Sequence, residues 1–215
     1  IIYGCTNFNQ AVSGWDVTSA TQMGHLFYGC TAFNQAVDDW DMTGVGYIRD
    51  MFNGCTSFNQ PVDSWDVTSV TYAGNTFRDC TSFNQPMNSW RLSSLISLAS
   101  FFYGCTIFNQ PLDEWTVGTA SSFSSTLRDC PAFDQDISSW DIRNATTLGS
   151  FMTGGGLSTA NYDALLVAWN ANTTVPSTLS PNFGSSKYSL GSAAATARAN
   201  LISTYSWTIT DGGGI

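Results

Sequence analysis

The chain has 215 residues, of which 43% are hydrophobic and 14% aromatic, and its formal net charge at pH 7 is −9. This apolar content is enough for a substantial core and excludes wholesale disorder. The 7 Lys and Arg against 16 Asp and Glu argue against nucleic-acid binding, because phosphate contacts need a basic face, and the sequence has no run of 18 apolar residues that could span a membrane.

Cysteine, phenylalanine, glutamine and tryptophan recur together along the first 154 residues at a constant interval of 25. Such spacing indicates a repeat architecture, in which one unit cannot bury both of its faces and stacking of the units does so. We therefore interpret residues 1–154 as a solenoid and residues 155–215 as a C-terminal capping region. The six repeats are 5–29, 30–54, 55–79, 80–104, 105–129 and 130–154.

The chain opens inside a coil of this repeat. Residues 1–4, Ile-Ile-Tyr-Gly, align with residues 101–104, Phe-Phe-Tyr-Gly. We expect further repeats or an N-terminal cap upstream, with a partner that covers the open end as the alternative.

The third repeat predicts one short strand and one short helical segment in each coil. Residues 62–70, VDSWDVTSV, have the apolar spacing of a leucine-rich-repeat strand, with larger or β-branched residues in the leucine slots. Residues 68–77 have apolar positions three to four apart, which favours one or two turns of α-helix or 3₁₀-helix with Asp66 or Thr68 as N-cap. The resulting fold is a right-handed, leucine-rich-repeat-like coil stack, roughly 29 Å long at about 4.8 Å per coil.

The run F-N-Q-x-V-x-x-W-D-V-T-S-V, followed by a phenylalanine and a cysteine, resembles the 25-residue bacterial surface-protein repeats of the BspA-like, DUF285 (Mycoplasma-lipoprotein) type. The segment G-C-T-x-F is similar to the Treponema-type leucine-rich repeat. The resemblance covers about 150 residues and implies a cell-surface or secreted binding module without catalytic residues. Arg91 and Thr116 stand where the family usually has the aspartate after tryptophan.

The cysteine column predicts a ladder of buried free thiols. Neighbouring cysteines would lie about 4.8 Å apart with parallel Cβ vectors, whereas a disulfide needs converging Cβ atoms near about 3.8 Å. Small apolar fillers are therefore favoured over paired disulfides, and no C-x-x-C or Cys/His cluster supports a metal. The column consists of Cys5, Cys30, Cys55, Cys80, Cys105 and Cys130.

Two more columns are interpreted as structural. An inward asparagine amide can bond the backbone of its own turn and the amide above, with a ligand row as the alternative. The tryptophans take the middle apolar slot of the strand, which favours burial over an exposed aromatic track for sugars or a protein partner. The columns are Asn9, Asn34, Asn59, Asn84 and Asn109, and Trp15, Trp40, Trp65, Trp90, Trp115 and Trp140.

Acidic residues flank the tryptophans and form the candidate interaction face. A partial carboxylate row could bind calcium, but calcium needs about six to eight oxygen ligands, and Arg91 and Thr116 interrupt the row. A solvated acidic face is therefore favoured, with a basic partner attracted to it as the alternative. The face consists of Asp16, Asp38, Asp39, Asp41, Asp63, Asp66, Asp113, Glu114 and Asp141.

No pattern in the sequence predicts catalysis. The only histidine, His25, belongs to a column that continues with Asp50, Asn75 and serines, which is not a general base held by a second residue. Phosphate loops, nucleophile elbows and metal motifs are also missing from the sequence. We expect no enzymatic activity, no cofactor and no metal site.

The C-terminal region, residues 155–215, predicts an α/β cap. Ser158 precedes a segment whose apolar residues fall on one helical face, a second helix is expected over residues 192–203, and a short strand over residues 207–210. A solenoid needs its last hydrophobic layer covered, which is the role expected here.

Three functional hypotheses remain open from the sequence. The first is a non-enzymatic extracellular or surface interaction module, with adhesin-like protein binding on a rigid solenoid face. The second is a structural component of a virion, filament or surface layer that self-assembles through the open N-terminal end. The third is glycan binding through an exposed tryptophan column. All three place the protein outside the cell or on a cell or virion surface.

Overall fold

The computed structural model describes residues 2–172 and 174–215. Ile1, the first residue of the alignment with residues 101–104, lies outside the described residues. Successive 25-residue units stack in register, because the same backbone position of each unit faces its equivalent in the next. Isolated parallel bridges form one continuous row through Gln22, Tyr47, Tyr72, Ser97, Ser122 and Thr147.

Backbone hydrogen bonds between units hold this row together. The N–H group of His25 donates to the carbonyl of Arg49 at 3.0 Å, and the N–H group of Asp50 donates to the carbonyl of Gly74 at 3.0 Å. The chain bends outward at the same place in each unit, where a non-glycine residue has a φ of 54° to 58°. These residues are His25, Asp50, Asn75, Ser100, Ser125 and Ser150.

We call the surface around this row the ladder face. It comprises the exposed and half-buried side chains of residues 21–28 together with Tyr3, and those of the five equivalent segments. Those segments are 46–53, 71–78, 96–103, 121–128 and 146–153.

The local structure of each unit differs from the expectation. Residues 2–154 contain neither a helix nor a continuous strand: turns replace the strand expected over residues 62–70 and the helical turns expected over residues 68–77. The reason is that N–H groups of this second segment bond the next unit, and a φ of 58° at Asn75 interrupts a right-handed helix. The assignment to a right-handed leucine-rich-repeat-like solenoid stays a prediction.

One apolar core runs through the whole stack. The rings of Phe33 and Phe58 lie 5.9 Å apart at 4° between planes, and those of Trp115 and Trp140 lie 6.1 Å apart at 3°. Each large side chain buried in this way contributes about 1.5–3 kcal/mol. Repeated aromatic layers, rather than secondary-structure propensity, therefore stabilise the units.

The C-terminal region contains both helices of the described chain. Helix α1 spans Thr159–Ala171 with Ser158 as its N-cap, and helix α2 spans Ala193–Ser203 with Ser192 as its N-cap. Both helix predictions are confirmed, whereas the strand expected over residues 207–210 is reduced to an isolated bridge at Thr210. Neither helix is long and apolar enough to cross a membrane.

The C-terminal region continues the pattern of the repeats. Met152 donates its N–H to the carbonyl of Asn182 at 2.8 Å, as the repeat units do among themselves. The indole of Trp169 on α1 donates to the carbonyl of Trp140 at 3.1 Å. Buried residues of α1, α2 and the segment between them join the same core as the repeats. The last repeat is therefore covered by this region.

Candidate functional site

The cysteine column lies inside the stack except at its N-terminal member. All six cysteines are free thiols, of which Cys5 is exposed and the other five are buried. Each buried Sγ lies near the carbonyl of the residue 28 positions earlier, as Cys55 does at 3.0 Å from Phe27. Desolvation by burial raises the pKa of Cys80 and Cys105 well above the usual value. These side chains are unsuited to metal binding or nucleophilic chemistry.

The tryptophan column is buried as well. Trp15, at the N-terminal end, is 39% exposed, while the five other members are almost completely covered. Each buried indole is also fixed by a hydrogen bond, as when Trp65 donates Nε1–H to the carbonyl of Val37 at 2.9 Å. An exposed column of indoles is therefore not available for stacking on sugars.

The asparagine column lies at the surface, where it joins adjacent units. Its members are exposed or half-buried, so the expected inward orientation is wrong. The Oδ1 atom of Asn59 accepts the backbone N–H of Asn84 at 3.0 Å and the Nε2–H of Gln85 at 3.1 Å. The amide reaches the next unit's backbone, whose N–H points along the stack rather than into the core. The asparagine side chains thus accept hydrogen bonds from polar groups of the turns. They do not form a row that is free to bind a ligand.

The aspartates that directly follow a tryptophan act as caps of the turns. Asp66 accepts the Thr68 hydroxyl at 2.6 Å and the Thr68 backbone N–H at 3.0 Å. The hydrogen bond from this hydroxyl, and secondly the one from the N–H, hold the pKa of Asp66 below its usual value. The pKa values of Asp16 and Asp41 are lowered in the same way by the threonine two residues after each of them. These exposed carboxylates are engaged within their own turns.

The other acidic residues of the candidate face also have local partners. Asp63 accepts the hydroxyl and the backbone N–H of Ser89 in the next unit, at 2.7 Å and 3.0 Å. Glu114 pairs with Arg91 at 2.6 Å. The remaining partners are Asn88 for Asp113 and Arg143 for Asp141. Asp63, Asp113 and Glu114 thus link neighbouring units, whereas Asp141 pairs within its own turn.

Only Asp38 and Asp39 in this face have carboxylates without a hydrogen-bond or ion-pair partner within residues 2–172 and 174–215, and both are exposed. The described part of the chain holds no group of three or more His, Cys, Asp or Glu side chains arranged for a metal ion. The acidic residues are spread along the turns instead of converging on one point, and calcium would need convergent oxygen ligands.

The ladder face carries chemistry that the sequence analysis missed. Its outward columns change from unit to unit, whereas the cysteine and tryptophan columns never change. The column that starts at Tyr28 reads Tyr, Asn, Arg, Tyr, Arg, Thr, and the one that starts at Gln22 reads Gln, Tyr, Tyr, Ser, Ser, Thr. Positions free of the stacking constraint can vary, and this variation is the signal in the sequence that points to the ladder face.

Aromatic and cationic side chains stack along the Tyr28 column. The rings of Tyr3 and Tyr28 are parallel within 2° at 4.6 Å. Tyr103 lies between two guanidinium groups, 4.5 Å from Arg78 and 5.2 Å from Arg128. Stacking of this kind fixes long side chains that would otherwise be mobile.

A groove of about 580 Å³ opens at the N-terminal half of the ladder face, and we call it the arginine groove. Asp50 lies at its base with a side chain only 8% exposed, and it accepts hydrogen bonds from Asn53 at 2.7 Å and from Arg49 at 3.1 Å. The lining residues are Tyr3, His25, Tyr28, Arg49, Asp50, Asn53, Asn75 and Arg78. Four successive levels of the stack therefore contribute to one concave polar site.

Comparison with protein-family models places most of the chain in a known family. The family model described as Mycoplasma protein of unknown function, DUF285, matches residues 1–105 and residues 73–164. Searches of curated proteins and of solved structures give no match.

Proposed function

The chain belongs to the DUF285 family, and from that premise we propose that it is a non-enzymatic interaction module that binds a protein partner through the ladder face. Its place is outside the cell or on a cell or virion surface, as the resemblance to surface-protein repeats implies. The family itself is described without a function, so the proposal depends on the chemistry of the exposed residues.

The observation that carries the proposal is the row of exposed and half-buried tyrosine and arginine side chains on the regularly stacked backbone. Tyr3 is 61% exposed and Tyr72 is 48% exposed, so much of their surface does not serve the core. Tyrosine and arginine are enriched in protein–protein contacts and supply many of their hot spots. Because the stacked units already hold these side chains in place, little conformational entropy would be lost on binding.

One observation supports the alternative hypothesis that the protein is a structural component that self-assembles. At the N-terminal end, Trp15 is 39% exposed and a groove of about 620 Å³ is lined partly by Val17, Met23 and Leu26. Apolar surface of this kind can mediate self-assembly. Sedimentation velocity over a wide concentration range tests self-assembly, and a strictly monomeric protein would remove the structural hypothesis.

The glycan hypothesis is not carried forward, because its premise was an exposed tryptophan column.

The proposed function is tested by biolayer interferometry of the immobilised protein against a panel of purified extracellular-matrix and cell-surface proteins. The repeats themselves supply replacements that fit the fold: Tyr47→Ser and Tyr72→Ser introduce the residue found at Ser97 in the same column. We expect this double variant to weaken binding of any ligand found by about tenfold or more.

The matched control changes the acidic face in the same way. Asp38→Ser and Asp39→Ser introduce residues found at Ser138 and Ser139, and we expect them to change affinity by about twofold at most. Loss of binding in the acidic variant with none in the tyrosine variant would move the contact to the acidic face. Failure of every protein in the panel to bind would count against the interaction module.

A further inference from the structure

We propose that the arginine groove is a binding site for a carboxylate group of an acidic protein segment. The inference rests on the proposed function, since it names the part of the ladder face that recognises a partner and the chemistry it recognises. Four features of the groove lead to it: free guanidinium ends, a compensated buried acid, an aromatic wall and the charge of the surrounding surface.

The two arginines of the groove present unused donors. Arg49 uses Nε for Asp50 at 3.1 Å, and Arg78 uses Nε for Asp79 at 3.3 Å. Within the described chain, the terminal nitrogen atoms of both guanidinium groups make no hydrogen bond. Arginine binds carboxylates through two parallel N–H donors, so these free ends suit a carboxylate oxygen pair.

The orientation of Arg78 is fixed before a ligand arrives. Its guanidinium group lies 4.5 Å from the centre of the Tyr103 ring, and the carboxylate of Asp79 holds Nε from the side. A side chain held by two contacts loses less freedom on binding than a free arginine would.

The buried acid at the base of the groove limits the charge that the site can hold. Asp50 is bonded by Arg49 and Asn53 and lies 3.8 Å from Nδ1 of His25, so its own charge is compensated inside the protein. Each arginine is already paired with one carboxylate, so the formal charges of these four side chains cancel and the site offers free N–H donors rather than a net positive charge. A singly charged carboxylate fits this balance better than a doubly charged phosphate.

The walls of the groove suit a peptide rather than a bare ion. The parallel rings of Tyr3 and Tyr28 form an aromatic wall that can cover the methylene groups of a glutamate or a neighbouring apolar side chain. The amide of Asn75 lines the same groove and can bond a peptide backbone. The remaining surface is acidic in a chain of net charge −9, so an acidic segment would meet less repulsion at the groove than elsewhere on the surface.

The test uses a fluorescein-labelled peptide of alternating glutamate and serine, with the matching glutamine–serine peptide as control, read by fluorescence anisotropy. We expect the glutamate peptide to bind at least about tenfold more tightly than the glutamine peptide. Arg78→Thr introduces the residue found at Thr153 in the same column and should weaken this binding by about tenfold or more.

A second variant tests whether a loss of binding is caused by a loss of folding. Arg49→Ser combined with Asp50→Ser recreates the pair found at Ser124 and Ser125, so Asp50 is not left buried without its partner. We expect the same loss of peptide binding with an unchanged thermal melting profile. The matched control is Arg143→Thr, which removes the arginine that pairs with Asp141 outside the groove and introduces the residue found at Thr43. This variant should bind the peptide like the native protein.

Two results would overturn the inference. One is equal binding of the glutamate peptide by the native protein and by both groove variants. The other is a native protein that binds the glutamate and glutamine peptides equally well and releases them when dextran sulfate is added. That result would indicate a site for a sulfated glycan. If a panel protein still binds the Arg78→Thr variant fully, the groove inference fails and the interaction module stands. If the peptide binds but no panel protein does, the proposed function fails.

Discussion

Single side chains link the units of the stack, because each buried thiol reaches the carbonyl of the residue 28 positions earlier. The Sγ atom of Cys80 lies 3.1 Å from the carbonyl of Phe52 in a fully buried site. Desolvation by burial raises the pKa of Cys130 to about 12 and that of Cys80 well above the usual value. Since the thiolate is the reactive form, the buried members of the column should be chemically inert.

Thiol reactivity should therefore distinguish Cys5 from the rest. We expect one of the six thiols to react rapidly with Ellman's reagent in the native protein, and all six to react in denaturant. The variant Cys5→Ser should lose the rapid reaction and keep five slow thiols. Fewer than six thiols after denaturation without reductant would instead indicate disulfides, and more than one rapid thiol would contradict the buried ladder.

The asparagine column makes a second prediction at the same scale. Asn59→Leu removes the acceptor of the Asn84 N–H and should lower the free energy of unfolding by about 1–3 kcal/mol. Asn59→Asp keeps an acceptor of the same shape and should cost less, because Asp134 already accepts the N–H of Ser158 at 2.7 Å in an equivalent place. Urea unfolding measures both. Equal losses in the two variants would show that the acceptor is not what matters.

At the scale of elements, local signals in the sequence predicted the helices well. Ser158 and the apolar face of α1 identify this helix, because capping and periodicity act within one segment of chain. The ladder around Tyr72 was missed, because its hydrogen bonds join residues about one repeat apart and its bend requires a positive φ at Asn75. The arginine groove was missed for the same reason, since residues from four levels of the stack must meet before it exists.

The C-terminal segment is fastened to both helices by one buried carboxylate. Asp211 is 3% exposed and accepts from Arg198 on α2 at 2.7 Å and from the hydroxyl of Tyr162 on α1 at 2.8 Å. Burial alone would raise the pKa of Asp211, but the hydrogen bonds from Arg198 and Tyr162 outweigh it and hold this pKa below its usual value. The ionised form is thus the one that the fold stabilises.

Asp211→Ala should therefore destabilise the protein by about 3 kcal/mol at neutral pH, because it leaves Arg198 and Tyr162 without their shared partner. Since the pKa of Asp211 is lower in the folded state, its contribution is complete above about pH 4 and is lost as the pH falls through the folded value. Thermal melts of native and variant protein should converge in acid. A difference that stays constant down to the lowest pH would contradict this linkage.

At the scale of the whole molecule, charge and shape are divided between two surfaces. The acidic residues of the candidate face lie along the turns near the tryptophan column, while the ladder face carries Arg49, Arg78 and Arg128, each paired with the aspartate that follows it. Each of the two surfaces would attract or repel a partner protein before contact, depending on the charge of that partner. The rigid stack separates the two surfaces, so either can be changed without disturbing the other.

In a stack of repeats, the apolar outer face of the last repeat needs a cover. The final repeat is covered by the C-terminal region: the ring of Phe151 lies 6.2 Å from Trp169 and 6.1 Å from Phe183, and Met152 bonds the carbonyl of Asn182. Removal of residues 155–215 would expose this apolar layer to water. We expect the shortened chain to self-associate in sedimentation velocity and to bind the dye ANS.

The control for this truncation removes one internal unit and leaves both ends as they are. Deletion of residues 80–104 joins positions that are equivalent in the repeat, so the register of buried columns is kept. This shorter stack should remain soluble, unfold cooperatively and bind no more ANS than the native chain, because only the number of layers has changed. If both deletions associate equally, the loss of a whole repeat disturbs the core as much as exposing its end, and the C-terminal region is not acting as a cover.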